Sequence, residues 1–227
     1  MAFTLDKVVP WGRSYAEYIG MFGLTETDLG KHILGCGDGP AGFNVELSKR
    51  GGAVVSVDPV YIFAVDQIKS RIAETYETIM AQTSENQNDF IWDVIPSIDA
   101  LGEIRMSAMD TFLADFELGK QQGRYIAGEL PTLPFANGQF DIALSSHFLF
   151  LYSGHLSAEF HLQAIQEMLR VASEVRIFPL LTLDGSVSPY LSLVSEEFAS
   201  RGFDVQINKV AYEFQRGGNQ MLVIKPK

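Results

Sequence analysis

The chain of 227 residues contains a single cysteine, Cys36, so it can form no disulfide with itself. A disulfide-stapled fold is thereby excluded, and a cytoplasmic location is the default expectation. Basic residues are scarce: 17 Lys and Arg stand against 28 Asp and Glu, a net charge of −11, and the basic ones nowhere cluster. A protein that grips a nucleic-acid backbone draws its affinity from neutralised phosphates. Nucleic acid is therefore not expected as a partner. Long apolar runs are missing as well. The longest lies around Phe148–Tyr152, far short of the roughly 20 residues a helix needs to cross a bilayer. Asp6, Pro10 and Arg13 interrupt the start of the chain where a signal segment would be apolar, so no membrane association is expected. His147, His155 and His161 do not have metal-ligand spacing and no further cysteine accompanies them. No metal site is expected.

What is present is alternation. At this length one domain with a large core is expected over 1–227. Ser14-Tyr-Ala-Glu17 has the spacing of a capping box and starts a helix ending near Gly23. Strands are expected at about 31–35, 53–57, 124–127, 140–145 and 174–181, with a helix after each of the first two, ending near Arg50 and near residue 81. Ser157 caps a helix with inner face Leu162, Ile165, Leu169 and Ala172, and another helix runs from about 188 to 201. Phe203, Val205 and Ile207 alternate, a second run ends at Phe214, Arg216-Gly-Gly-Asn219 reads as a turn, and Met221–Ile224 as a returning strand. Strand–helix alternation closing on a hairpin predicts an α/β fold, a mostly parallel sheet with helices on both faces. One segment exceeds that plan. Ser97 caps a helix whose apolar residues Leu101, Ile104, Ala108 and Phe112 recur at helical spacing, so residues 90–119 read as a helical insertion before the third strand.

The chemistry is concentrated where the first strand ends. Gly35-Cys36-Gly37-Asp38-Gly39 follows it and opens a helix, and the second strand ends in Asp58, with Pro59 next. Glycines let the backbone turn tightly and approach a ligand, helix starts offer unpaired N–H groups, and an acid on the next strand tip accepts hydrogen bonds from ribose hydroxyls. Two cofactor classes share this logic. Gly37-Asp-Gly-Pro-Ala-Gly42 fits the G-x-G-x-x-G pattern of dinucleotide enzymes, and Gly35–Gly39 fits the G-x-G-x-G loop of enzymes that use S-adenosylmethionine (SAM).

Gly128-Glu129-Leu130-Pro-Thr-Leu133-Pro134-Phe135, followed by Phe140-Asp141-Ile142, resembles the class I SAM-dependent methyltransferases, as does the terminal hairpin. The likeness covers roughly 31–58 and 124–225. It implies a Rossmann-like seven-stranded sheet with an antiparallel last strand, SAM as cofactor, and a small-molecule acceptor. Residue by residue, it implies that the loop Gly35–Gly39 passes under the methionine part and that Asp58 binds the ribose. Glu129 and the Leu130 amide would face the adenine, and Ser145, Ser146 and His147 would line the reaction side. His147 is the candidate general base, and Cys36 reads as a small loop residue. The N-terminal cap, 1–30, and the insertion would cover the pocket. Trp11, Arg13 and Tyr15 from the cap, with Trp92 and Arg105 from the insertion, are candidates to contact the cofactor or acceptor, Arg13 through the SAM carboxylate. The family commonly has an acid where Ile33 stands here, so Asp38 is the candidate replacement. A nicotinamide-dependent oxidoreductase or epimerase is the alternative, although no Tyr-x-x-x-Lys spacing supports it. A SAM-binding protein without catalysis is the other.

Overall fold

Two short helices lead into the sheet of the computed structural model, which describes residues 9–227. The first eight residues of the expected cap lie outside the described residues. Helix α1 spans Tyr15–Phe22 and α2 spans Glu26–Leu29. The Ser14 capping box is formed: its hydroxyl accepts from the Glu17 amide, and the Glu17 carboxylate accepts from the Ser14 amide. Then come β1 (His32–Cys36), α3 (Phe43–Lys49), β2 (Ala53–Val57), α4 (Val65–Glu85), α5 (Ile98–Gln121) and β3 (Tyr125–Ile126). The chain continues with β4 (Phe140–Ser146), α6 (Ala158–Val171), β5 (Ala172–Phe178), α7 (Leu191–Ser200), β6 (Phe203–Lys209) and β7 (Gln220–Pro226).

The strands form one seven-stranded sheet in the order β3-β2-β1-β4-β5-β7-β6. Strands β1 to β5 run parallel, and β7 enters antiparallel to both β5 and β6. This is the seven-stranded, Rossmann-like sheet with an antiparallel last strand that the resemblance implies. The reversal of strand order falls between β1 and β4, which is where open α/β sheets bind ligands.

Each central strand feeds both faces. Leu34 and Ala143 join the core under α6 and α7, with Ile165, Met168, Val194 and Phe198. Ile33, Ile142 and Leu144 point the other way, onto Tyr18, Phe22, Phe43 and Leu47 of α1 and α3. That period of two is what buried parallel strands require.

Two expected elements differ in extent. The insertion helix begins at Ile98, where the Ser97 hydroxyl accepts from the Ala100 amide. Residues 90–97 are non-helical, and Phe90 pairs with Gln215 instead. The run ending at Phe214 is not a strand either, because β6 stops at Lys209 and 210–219 cross over to reach that bridge. Helix α5 buries Met109, Phe112 and Phe116 against Tyr61, Ile68 and Ile72, so much of it is core.

Candidate functional site

The segment 9–14 lies along the glycine loop. Its Arg13 carbonyl accepts from the Gly42 amide at 2.9 Å, and a Cβ on Gly12 would run into the Pro40 carbonyl. Between this strap and the sheet opens a cavity of about 610 Å³. Its floor is the carboxyl end of three strands: Gly37–Gly39 after β1, Asp58–Val60 after β2, and Ser146–Phe148 at the end of β4.

The loop is held by polar contacts that local sequence does not announce. Gly37 and Gly39 have positive φ, 69° and 52°, a region open to glycine at little cost. Gly35 is required for another reason: a Cβ there would collide with the Asp38 carboxylate. Asp38 turns back into the protein, where the Tyr18 hydroxyl donates to it at 2.7 Å and the Ser56 hydroxyl at 2.6 Å. Ser56 in turn accepts from the Asn44 amide group. Ile33 is fully buried in the apolar core on that face, so Asp38 is the acid at this end of the loop.

Asp58 reaches across the strand tips. One carboxylate oxygen accepts from the Gly39 amide and the other from the Val60 amide, both at 2.8 Å. The Tyr61 hydroxyl donates to the Gly39 carbonyl at 2.7 Å, completing the clamp. Burial pushes both acids up to about 6, outweighing the hydrogen bonds that favour their charged forms.

For Asp38 this has a consequence for stability. A carboxyl titrating near 6 when folded and near 4 when unfolded binds more protons in the folded state between those values. Stability therefore falls as pH rises through that window, by up to about 3 kcal/mol. Asp38→Asn, neutral at every pH, removes this contribution, so the stability of wild type relative to Asp38→Asn is expected to fall as pH rises from about 4 to 7, while Asp58 keeps its own slope in both proteins. A wild-type advantage over Asp38→Asn that stays constant or grows over that range would refute the assignment.

At the end of β4, His147 has φ 52°, a left-handed conformation unusual for a residue with a side chain. Its amide donates to the Phe178 carbonyl at 2.7 Å, and Nδ1 lies 3.0 Å from the Ser146 hydroxyl. Burial, reinforced by Arg13 and Arg105, lowers its pKa well below the ordinary value. The imidazole is neutral across the physiological range.

Arg105 on α5 is fully buried and donates to the Glu17 carboxylate at 2.6 Å. Glu17 also accepts from the Tyr212 hydroxyl at 2.9 Å and from the Ser14 amide and hydroxyl. Glu17, Tyr18, Tyr61 and Tyr212 carry no motif that marks them as site residues. The only signal was the capping box, which gives Glu17 a purely local task.

The expected site residues divide cleanly. Gly37, Asp38, Gly39, Asp58, Pro59, Ser146, His147, Trp11, Arg13 and Arg105 line the cavity. Gly35, Cys36, Ser145, Glu129, Leu130, Tyr15 and Trp92 stand outside its wall. Cys36 is buried in the core, where burial pushes its thiol up. Glu129 is exposed, on a turn closed by the Thr132 amide. Tyr15 stacks on Phe43 beneath the Arg50 guanidinium. Trp92 packs on Phe90 and Phe214, which do line the cavity.

The uncharacterized protein MJ0045 of Methanocaldococcus jannaschii is 32% identical to this chain over 223 residues, covering 98% of each. The chain belongs to the family of that archaeal protein. No protein-family model matches it. Among solved structures, magnesium protoporphyrin IX methyltransferase from Synechocystis with bound SAM superposes at a TM-score of 0.47 and 12% identity, over 89% of this chain and 73% of that one. A TehB-like SAM-dependent methyltransferase from Corynebacterium glutamicum gives 0.46 and 16%, over 87% and 81%. A SAM-dependent methyltransferase from Aquifex aeolicus gives 0.43 and 15%, over 92% and 90%.

Proposed function

We propose that the cavity binds SAM and that the protein is a methyltransferase acting on a small or medium-sized acceptor. The observation that carries this reading is the Asp58 carboxylate at the tip of β2, locked 2.8 Å from the Gly39 amide beside a glycine loop that opens on the same cavity. A carboxylate oxygen has two lone pairs. Each Asp58 oxygen spends one on a backbone amide and keeps one for a ribose hydroxyl. Gly37 also lets the loop pack closely on the end of β4: a Cβ there would come within 3.1 Å of the Phe148 ring.

Bound SAM supplies an electrophilic methyl group on a positively charged sulfur. The remaining work belongs to this chain. Gly37–Gly39 and Asp58 hold the nucleoside and methionine parts; the strap bearing Trp11 and Arg13, with α5, keeps water out. Ser146 and His147 face the acceptor, and a fixed geometry alone lowers the barrier to an in-line transfer. His147 takes the acceptor's proton where the acceptor has one to lose.

Calorimetry is expected to register SAM and its demethylated product, S-adenosylhomocysteine, and negligible heat from NAD or NADP. Asp58→Ala is expected to weaken SAM binding by about 1–3 kcal/mol, the cost of leaving hydrogen-bonding groups unanswered. Tight nicotinamide binding without a response to SAM would overturn the reading.

A further inference from the structure

Two guanidinium groups meet at the reaction end of the cavity, and among the described residues only one carboxylate answers them. Arg13 and Arg105 both line the cavity. Arg105 spends one nitrogen on Glu17, while its Nε and Nη2 are buried with no hydrogen-bond partner among the described residues. Arg13 donates Nη1 to the Trp11 carbonyl at 2.6 Å, and its Nε is likewise buried and unpartnered. Glu17 is already occupied by Ser14, Tyr212 and Arg105. The acids of the described wall are committed elsewhere: Asp38 to Tyr18 and Ser56, Asp58 to backbone amides, Glu74 to Arg71. A buried positive charge without a counter-charge is costly, and here its donors sit idle beside it.

Beyond these arginines the cavity continues between α4, α5 and the crossing segment 210–219. Ile68, Ile79, Leu101, Phe90 and Phe214 form its apolar wall there, beside the Arg71–Glu74 ion pair of α4. The two phenylalanine rings stack with centroids 4.9 Å apart. Those five side chains offer the surface an aromatic or aliphatic body prefers.

We infer that the acceptor is an organic acid: an apolar, ring-sized body held in the α4–α5 lobe, with a carboxylate or similar anionic oxygen group set against Arg13 and Arg105. This rests on the methyltransferase reading of the same cavity. Arg13, the half-buried member, makes the contact, and Arg105 behind it supplies the second charge. The anion also prepares His147. In the free protein a protonated imidazole would be a third cation beside the two arginines, which together with burial keeps it neutral. An acceptor carrying its own negative charge cancels that opposition and lets His147 accept a proton from an adjacent hydroxyl or amine. The acid thus selects itself as substrate.

The test uses the full chain saturated with S-adenosylhomocysteine, titrated with benzoate, salicylate and 1-naphthoate and with the matching neutral amides. The acids are expected to bind at least tenfold tighter than their amides. Arg13→Gln is expected to abolish that preference while leaving affinity for S-adenosylhomocysteine within about twofold. Arg105→Lys, which keeps the charge, retains the preference. In nuclear magnetic resonance titrations the His147 ring should titrate at higher pH with salicylate bound than without it. Equal binding of acids and amides overturns the inference. So does an Arg13→Gln protein that loses S-adenosylhomocysteine but still binds methylthioadenosine, which lacks the amino-acid carboxylate; the arginines would then serve the cofactor. Failure of the parent reading looks different: no S-adenosylhomocysteine binding at all, whatever the acids do.

Discussion

Glu17→Ala is expected to cost about 3–5 kcal/mol of folding stability, the range for removing one partner of a buried ion pair. Burial alone would raise the Glu17 carboxyl, but Arg105 and then Arg13 overcome it and bring it down to about 2. The carboxylate is the common acceptor of α1, α5 and the segment preceding β7, through Ser14, Arg105 and Tyr212. Its removal strands a fully buried guanidinium and the Tyr212 hydroxyl together. Urea unfolding at pH 7 measures the loss. Glu17→Gln keeps acceptor geometry without the charge and should fall between wild type and alanine. The pH dependence has a fixed sign: with the folded pKa below the unfolded one, this contribution is present above about pH 4.5 and fades as pH falls towards 2. A loss under 1 kcal/mol for the alanine variant would mean that the three elements hold together without the pair.

Replacing His147 by Ala should lower turnover by about 10²–10⁴-fold with SAM affinity nearly unchanged, the usual contribution of a positioned proton acceptor. The pH profile separates this from a packing defect. A base must be deprotonated to act, so activity falls as pH drops through its pKa. Because burial and the two arginines lower that pKa in the free protein, the acidic limb of kcat/KM should lie below the ordinary histidine range. The limb of kcat, which reports the loaded protein, should lie higher if the acceptor brings an anion. His147→Ala should remove both limbs. Near-normal turnover in the variant, or loss of SAM binding along with activity, would return His147 to a role in the cavity wall.

Much of this molecule is legible one segment at a time. The caps at Ser14, Ser97 and Ser157 form as their spacing requires, since a cap and its amide lie three residues apart. Glycine-marked ends, alternating apolar residues and the Arg216–Asn219 turn likewise depend on neighbours within one turn or one hairpin. The insertion helix was legible in its apolar period and its Ser97 cap, although the bound at 90 was not: Phe90 pairs with Gln215, and that partner is invisible from the segment itself.

The sequence by itself therefore determined the alternation of strands and helices, the antiparallel ending, and the glycine loop with Asp58 beyond it, because each rests on short-range periodicity and backbone sterics. Only the tertiary structure decided what the polar residues do. It turned Asp38 inward onto Tyr18 and Ser56, left Glu129 exposed on a turn, and took Tyr15 and Trp92 out of the cavity wall. It joined Glu17 to Arg105 across 88 residues of chain and to Tyr212 across 195. The physical reason is range. Helices and strands are chosen by bonds between near neighbours, whereas burying a charge is tolerable only beside its partner, and that partner is supplied by whichever distant segment the packed core brings alongside.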